Sequence, residues 1–512
     1  MNDILTQKKI LFIDLRHILC SDLEWYTSTG EYLPLNSPPE PEVIACAKKG
    51  LLPNGVEFFS QKAHKTEPFS LPLNGYKLGP RVIFDDGLYK SWYLNAVYPR
   101  NMSFDTGKIK FPESVSICYT ESKDGYEWSL PKESKLDVQG QTWFDGFTFF
   151  IDPTAPSCER YKAVYMACPS DEDWSLMLPK YEQFHQRHKD IRFELLGVRY
   201  CIYSAVSSDG IHWKPIRKPL MVHYSDTDTT VYYDSCLKKY VMYTRLYHHD
   251  RRIIGRAETD DFFNWGHVEP VIWTDLHDSL SIDIYTNGRT QYPGLPQYHL
   301  MFPMIYKRFT QTSEVRLFSS ADGICWNQLP GGPVISTDGS TDWDSEFIWA
   351  GKDLVPFGDK TIAVPFYGLP FPHKYPRWKS VLDSMRVAWA YWPCERLCGI
   401  KAEEDGEFFT IPMIPQGRHL KLNFCTNYGG EIRVGLMPNE TGLRIPFHIS
   451  HYAKRDYYIN DRSVLDCEPI NGDDLSRIVK WKGSSDIAVE NHTQIVLHFK
   501  LRSAKIFGFE WV

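Results

Sequence analysis

The chain has 512 residues and a net charge of −7, with no block of Lys or Arg, which excludes the clustered basic footprint of a nucleic-acid binder. This length exceeds what a single core serves, so one large and one smaller domain are expected. Twelve cysteines occur without Cys-x-x-Cys pairs, so the sequence calls for no metal, no other cofactor and no disulfide framework.

The cysteines read as small buried hydrophobes of a reducing compartment, the cytoplasm. The stretch from Met1 to Asp14 has too short an apolar run for a signal peptide or a membrane span. Aromatic residues make up 15% of the chain, with 16 Trp and 30 Tyr. That excess suits the stacking of flat rings on sugars, but a β-rich fold alone would account for most of it.

In chain order, residues 1–75 carry scattered prolines and mixed polarity and are expected as an irregular N-terminal segment packed on the main domain. Strand-like runs follow in five groups. The first holds Arg81–Phe84, Tyr89–Tyr93 and Val115–Glu121; the second Phe147–Ile151, Tyr161–Met166 and Tyr200–Val206. A charged stretch, Lys180–Leu196, interrupts the second as a short helix or insertion. The third holds Thr230–Tyr233, Tyr240–Tyr243 and Arg252–Glu258; the fourth Tyr285–Tyr292, Tyr298–Phe302 and Val315–Ser320. The fifth holds Phe347–Ala350, Thr361–Tyr367 and Met385–Trp392.

A heptad, Ser-x-Asp-Gly-x-x-Trp, closes three of these groups at Ser122–Trp128, Ser207–Trp213 and Ser320–Trp326. A frayed copy, Thr259–Trp265, has Phe262 in place of the Gly. Asp-Gly is hairpin chemistry, because Gly supplies the positive φ that the turn needs. Three copies and a degenerate fourth describe a repeat. Five units of about four strands each predict an all-β chain, with a five-bladed β-propeller over 76–397. Period-two runs such as His419–Phe424, Glu431–Leu436 and Gln494–Leu501 predict a β-sandwich over 398–512.

In a propeller, residues just before the innermost strand of each blade converge at one end of a central channel. Carboxylates stand there in four units: Asp145, Asp226 beside Asp228, Asp283, and Asp344 with Glu346. Glycosidic cleavage needs such a set, one carboxyl protonated to serve the leaving oxygen and one ionised as base or nucleophile. Asp283 and Asp344 are expected as the central pair, with Asp145, Asp226 and Glu346 as modulators or alternates. Trp143, Tyr285 and Trp343 adjoin these acids, as sugar platforms or as core aromatics of the propeller. Arg289 is placed to reach hydroxyls or to pair locally, and one His or Arg of the polar run Tyr247–Arg252, such as His248, to reach the pocket.

The Asp-Gly-x-x-Trp turns, the five units and the C-terminal strands resemble the five-bladed propeller glycoside hydrolases of families 32 and 43 and their relatives. The tail Asp473–Trp511, with Val479–Asp486 and Leu497–Lys505, is similar to that of family-32-like hydrolases of unassigned specificity. The resemblance implies a glycosidase acting on a small oligosaccharide or glycoside, with a carbohydrate as its partner. The Trp-Met-Asn-Asp-Pro, Arg-Asp-Pro and Glu-Cys motifs of family 32 have no counterpart here, so no catalytic residue is carried over. Two alternatives stay open: a glycoside phosphorylase and a non-catalytic carbohydrate-binding propeller.

Overall fold

A computed structural model describes residues 4–19, 23–26, 32–33, 46–49, 53–69, 76–97, 113–138, 144–185, 199–248, 250–337, 343–373, 384–438, 458–490 and 492–512. The described chain is nearly all β, with one α-helix, Asp171–His185. No described helix is long and apolar enough to cross a membrane. The chain divides into two compact units, Lys62–Pro393 and Met1–Gln61 with Cys394–Val512.

The larger unit is a succession of antiparallel sheets. Tyr76–Asp85, Leu88–Val97, Ser114–Ser122 and Lys132–Ser134 pair in chain order as the first. The second is Asp145–Ile151, Tyr161–Ala167, Cys201–Ser207 and Lys214–Val222. The third is Thr230–Asp234, Lys239–His248, Arg251–Thr259 and Glu269–Ile272.

The fourth group departs from the expected meander and splits into two interleaved sheets. One holds Ile282–Ile284, Met304–Lys307 and Thr312–Val315; the other holds Arg289–Tyr292, Leu295–Met301, Phe318–Ser320 and Trp326–Gln328. The break falls at Gly288, whose φ is +50° and where a Cβ would lie 2.4 Å from the Phe302 carbonyl oxygen. Opposite it, Pro303 has no N–H to give to a ladder. The last sheet pairs Phe347–Ala350, Thr361–Leu369 and Arg386–Pro393, and takes His64–Lys65 as its outer strand.

Each sheet packs on the next through aromatic rings. Trp92 meets Phe149 at 4.3 Å, Phe150 meets Phe262 at 5.7 Å, and Tyr243 meets Trp326 at 5.7 Å. The Ser313 hydroxyl bonds the Ile348 backbone, and Phe357 of the last sheet region meets Tyr89 of the first at 6.2 Å.

The three heptads form the same turn. The Ser hydroxyl accepts the N–H groups of the Asp and Gly, and the Asp Oδ1 accepts those of the two residues after the Gly. Each Gly carbonyl also takes a donor from another sheet: Trp389 Nε1 on Gly125 at 2.9 Å, Trp92 Nε1 on Gly210 at 2.7 Å, and the Tyr243 hydroxyl on Gly323. In the frayed copy no glycine is needed. Phe262 is itself buried among Phe150 and Tyr240.

The helix starts earlier than the expected Lys180–Leu196. The Ser170 hydroxyl accepts the Asp173 N–H at 3.0 Å, and Asp171, Glu172 and Asp173 favour the positive end of the helix dipole. Residues 186–198 lie outside the described set.

In the smaller unit one sheet runs in the order Asp473–Ile478, Leu420–Pro438, Ile495–Trp511, Cys398–Phe409 and Glu57–Ser60, with Lys9–Leu11 also on Ile495–Trp511. Register shifts at Asn423/Phe424, Thr426/Glu431 and Ala402/Asp405 mark bulges, which let strands bend. Residues up to Gln61 thus differ from the expected segment packed on the main domain: they supply two strands to this sheet and group with it, whereas His64–Lys65 joins the larger unit. The reason is apolar: Ile10, Leu11 and Phe12 are at most 1% exposed, and Phe12 packs edge-on against Phe408 and Phe499.

Candidate active site

The strand Asp145–Ile151 begins the second sheet, and the run 224–228 leads into the first strand of the third. Gly146, at φ +61°, allows the two to approach: a Cβ there would lie 2.8 Å from the Thr227 carbonyl oxygen and 2.9 Å from that of Ser225. This approach brings Asp145 within electrostatic reach of Asp226. Asp226 accepts a bond from Arg245 Nη2 and another from the Tyr224 hydroxyl at 3.0 Å. Arg245 is 1% exposed and is enclosed by the rings of Tyr224, Tyr247 and Tyr285 at 5.9, 4.9 and 5.0 Å.

These surroundings drive two like groups apart. Asp145 keeps partial exposure, but protein crowding strips water from its charge. That burial, with the Asp226 carboxylate adding repulsion, pushes Asp145 up to about 8, against the opposing pull of the Gly146 N–H. Burial also acts upward on Asp226, but Arg245 and the Tyr224 hydroxyl outweigh it and hold Asp226 below the ordinary carboxylate range. At neutral pH a protonated acid stands beside a carboxylate. Tyr200, pushed up to about 12 by burial and by Cys168, Asp226 and Asp145, borders them as a neutral phenol. Burial pushes His223 down to about 4, and its Nε2 contacts Thr244 Oγ1 and the Arg245 carbonyl.

A polar layer joins the sheets beside the pair. Lys352 lies 3.2 Å from Asp228, and Arg81 bonds Asp353 at 2.6 Å and Thr148 at 3.3 Å. Asn287 donates to the Asp228 carbonyl and accepts from Thr230. Asp228 is therefore a paired group. Burial lowers the proton affinity of Lys352, partly offset by Asp228.

The two carboxylates expected as the central pair are placed otherwise. Asp283 is 0% exposed. It accepts the Arg252 N–H at 3.1 Å, Arg252 Nη1 at 2.6 Å, and Arg308 Nε and Nη2 at 2.8 and 2.9 Å. Asp344 is 3% exposed, paired with Lys65 at 2.5 Å and pressed against Gly368, where a Cβ would meet its own at 2.5 Å. Each is neutralised by cations its own stretch of sequence does not contain. Glu346 is half-buried, and its backbone bonds Leu369 and Ser313.

Of the expected sugar contacts, Tyr285 belongs to the site. Its ring lies 5.0 Å from the Arg245 guanidinium and 4.8 Å from that of Arg252, and its hydroxyl is 3.3 Å from His373 Nε2. Arg289 does not reach it: the guanidinium stacks on Tyr232 at 3.3 Å and bonds His299, because the strand turns it into the sheet interface. His248 sets its ring against the edge of Trp273 at 4.8 Å. Trp343 is half-buried beside Phe366 at 5.4 Å. Trp143 lies outside the described residues. Sequence reasoning missed Tyr224 and Arg245, and reached Tyr247 and Arg252 only as part of the polar run Tyr247–Arg252. The available signal was Arg245 within the largely aromatic and apolar run Tyr240–Tyr247 of the strand Lys239–His248, since a buried guanidinium demands a carboxylate. Among the described residues no group of three or more His, Cys, Asp or Glu is arranged to hold a metal ion.

No protein-family model and no curated protein matches the chain. Solved structures similar to it include the Bombyx mori GH32 beta-fructofuranosidase, at 9% identity over 88% of this chain and 95% of that one, TM-score 0.38. The catalytic domain of the Coprinopsis cinerea GH62 alpha-L-arabinofuranosidase matches at 13% identity over 65% of this chain and 97% of its own, TM-score 0.42. An N-acetylgalactosamine deacetylase from F. plautii, in complex with blood group B trisaccharide, matches at 15% identity over 66% and 96%, TM-score 0.42. Similarities of this size leave the function to the site itself.

Proposed function

We propose that this protein is a glycoside hydrolase acting on a small oligosaccharide or glycoside, with its larger unit a five-bladed β-propeller and its smaller unit a β-sandwich. Five successive sheet groups, the last packed on the first and completed by His64–Lys65 from ahead of the first, support the blade count. Long bulged strands that bend around one apolar core support the sandwich.

The reading of the site rests on one observation: neighbouring carboxyls whose surroundings drive their proton affinities in opposite directions. Asp145 gives its proton to the glycosidic oxygen as the bond from the anomeric carbon to that oxygen breaks. Asp226, ionised by Arg245 and Tyr224, either takes a proton from water as the water oxygen joins the anomeric carbon, or bonds that carbon first and leaves as water replaces it and returns a proton to Asp145.

The test is a panel of aryl glycosides and oligosaccharides with the wild-type protein and the variants Asp145→Asn and Asp226→Asn. Each substitution is expected to lower kcat/KM by about 10²–10⁴-fold. The Asp145→Asn loss should shrink on 2,4-dinitrophenyl glycosides, whose leaving group needs no proton. In the wild type the alkaline limb of the pH profile should follow Asp145 near 8. Full activity in both variants would remove the assignment. A strict requirement for inorganic phosphate would reassign the site to phosphorolysis, and sugar binding without turnover would reassign it to recognition alone.

A further inference from the structure

A cleft of about 800 Å³ opens on the second sheet, lined by residues of its outer strand Lys214–Val222 and of the helix Asp171–His185. That volume suits a ligand of a few sugar rings. Tyr165 and Tyr203 line it with nearly parallel rings, centroids 6.0 Å apart, and the Tyr203 hydroxyl donates to Asp173 at 2.9 Å. Around them the cleft carries three acidic and three basic side chains, among them Asp137, Asp173, Lys214 and Arg217.

The charges balance, so neither an anion nor a cation gains a net attraction. Carboxylates only accept hydrogen bonds, whereas ammonium and guanidinium groups only donate them. A neutral ligand that presents donors and acceptors over its whole surface satisfies both. Vicinal hydroxyls do this: each donates to a carboxylate and accepts from a cation. We infer that the cleft is a second carbohydrate-binding site, for a neutral oligosaccharide. The inference concerns binding and does not depend on hydrolysis at Asp145 and Asp226. One wall nonetheless leads toward that pair, since Cys168 lines the cleft and Tyr200 feels both Cys168 and the two carboxyls.

The experiment is calorimetric titration of the full chain with neutral tetrasaccharides of glucose, xylose, arabinose and galactose, and with tetragalacturonate. Wild type is compared with Asp137→Ala and Lys214→Ala, both exposed positions. At least one neutral tetrasaccharide is expected to bind, and each substitution to weaken it roughly tenfold, as the loss of a hydrogen bond to a charged group implies. Turnover of an aryl monosaccharide and the thermal melt should stay unchanged in both variants. No binding of any neutral tetrasaccharide overturns the inference. So does binding that both substitutions leave intact, or a preference for tetragalacturonate. If turnover is absent but the titration responds as expected, only the hydrolase reading fails.

Discussion

Asp145 and Asp283 carry the same functional group and differ in everything around it. Asp283 is fully buried with four donors from Arg252 and Arg308 on its two oxygens. Removing its charge strands a buried guanidinium, a loss of about 3–5 kcal/mol by analogy with broken buried pairs. Part of the Arg308 share is screened, because that side chain is 35% exposed. Asp283→Asn should therefore lower the urea midpoint strongly while leaving the pH limbs of activity in place. A shifted alkaline limb in that variant would return Asp283 to the chemistry. Asp145 behaves in the opposite sense. Its folded value of about 8 exceeds its ordinary 3.8, so across this window the native state holds a proton that the unfolded chain releases. Stability is then lost as pH rises toward 8. Two histidines pushed down to about 4 from 6.5, His17 and His223, act the other way, but only below about 6.5. Urea titrations between pH 6.5 and 8 isolate the Asp145 effect, and Asp145→Asn should flatten the slope there.

At the scale of elements, the repeated turn does two jobs with one residue. Glycine supplies the turn's positive φ, and its missing side chain leaves room for an aromatic donor from another sheet. At Gly210, φ is +75° and a Cβ would lie 2.9 Å from Trp92 Cζ2, so the ring and the backbone cannot both keep their places around an alanine. Gly210→Ala should destabilise by about 1–3 kcal/mol. Trp92→Phe keeps an aromatic ring but leaves the Gly210 carbonyl without its donor, and about 1–3 kcal/mol should be lost there too. Calorimetric melts of the two variants and their combination check this. Additive losses would show that ring and glycine are uncoupled, contrary to the contact seen. The frayed turn shows the same logic in reverse: Phe262 occupies the space itself, and its carbonyl accepts the Trp265 indole N–H at 2.6 Å.

At the scale of the whole molecule, the two ends of the sequence meet in one unit. Lys9–Leu11 and Glu57–Ser60 lie in the same sheet as Ile495–Trp511, and Phe12 is wholly buried against that strand's Phe499. A fragment of residues 394–512 should therefore fail to fold alone and should fold when residues 1–61 are supplied, as read by circular dichroism and amide dispersion. A native-like spectrum from 394–512 alone would contradict that dependence. Much of the architecture was legible because it is local. The Asp-Gly turns, the period-two runs and the chain-order pairing of strands in the first three sheets depend on nearby stretches of the chain, and the sequence by itself determined them. The tertiary structure alone decided where the N-terminal strands pair, why Tyr285–Tyr292 breaks into two sheets, and which carboxyls share a site. Asp283 meets Arg252 and Arg308, Asp344 meets Lys65, and Asp145 comes within electrostatic reach of Asp226 because Gly146 admits a carbonyl where a side chain would stand. An acid's role follows from the charge and burial around it, and those come from residues distant along the chain.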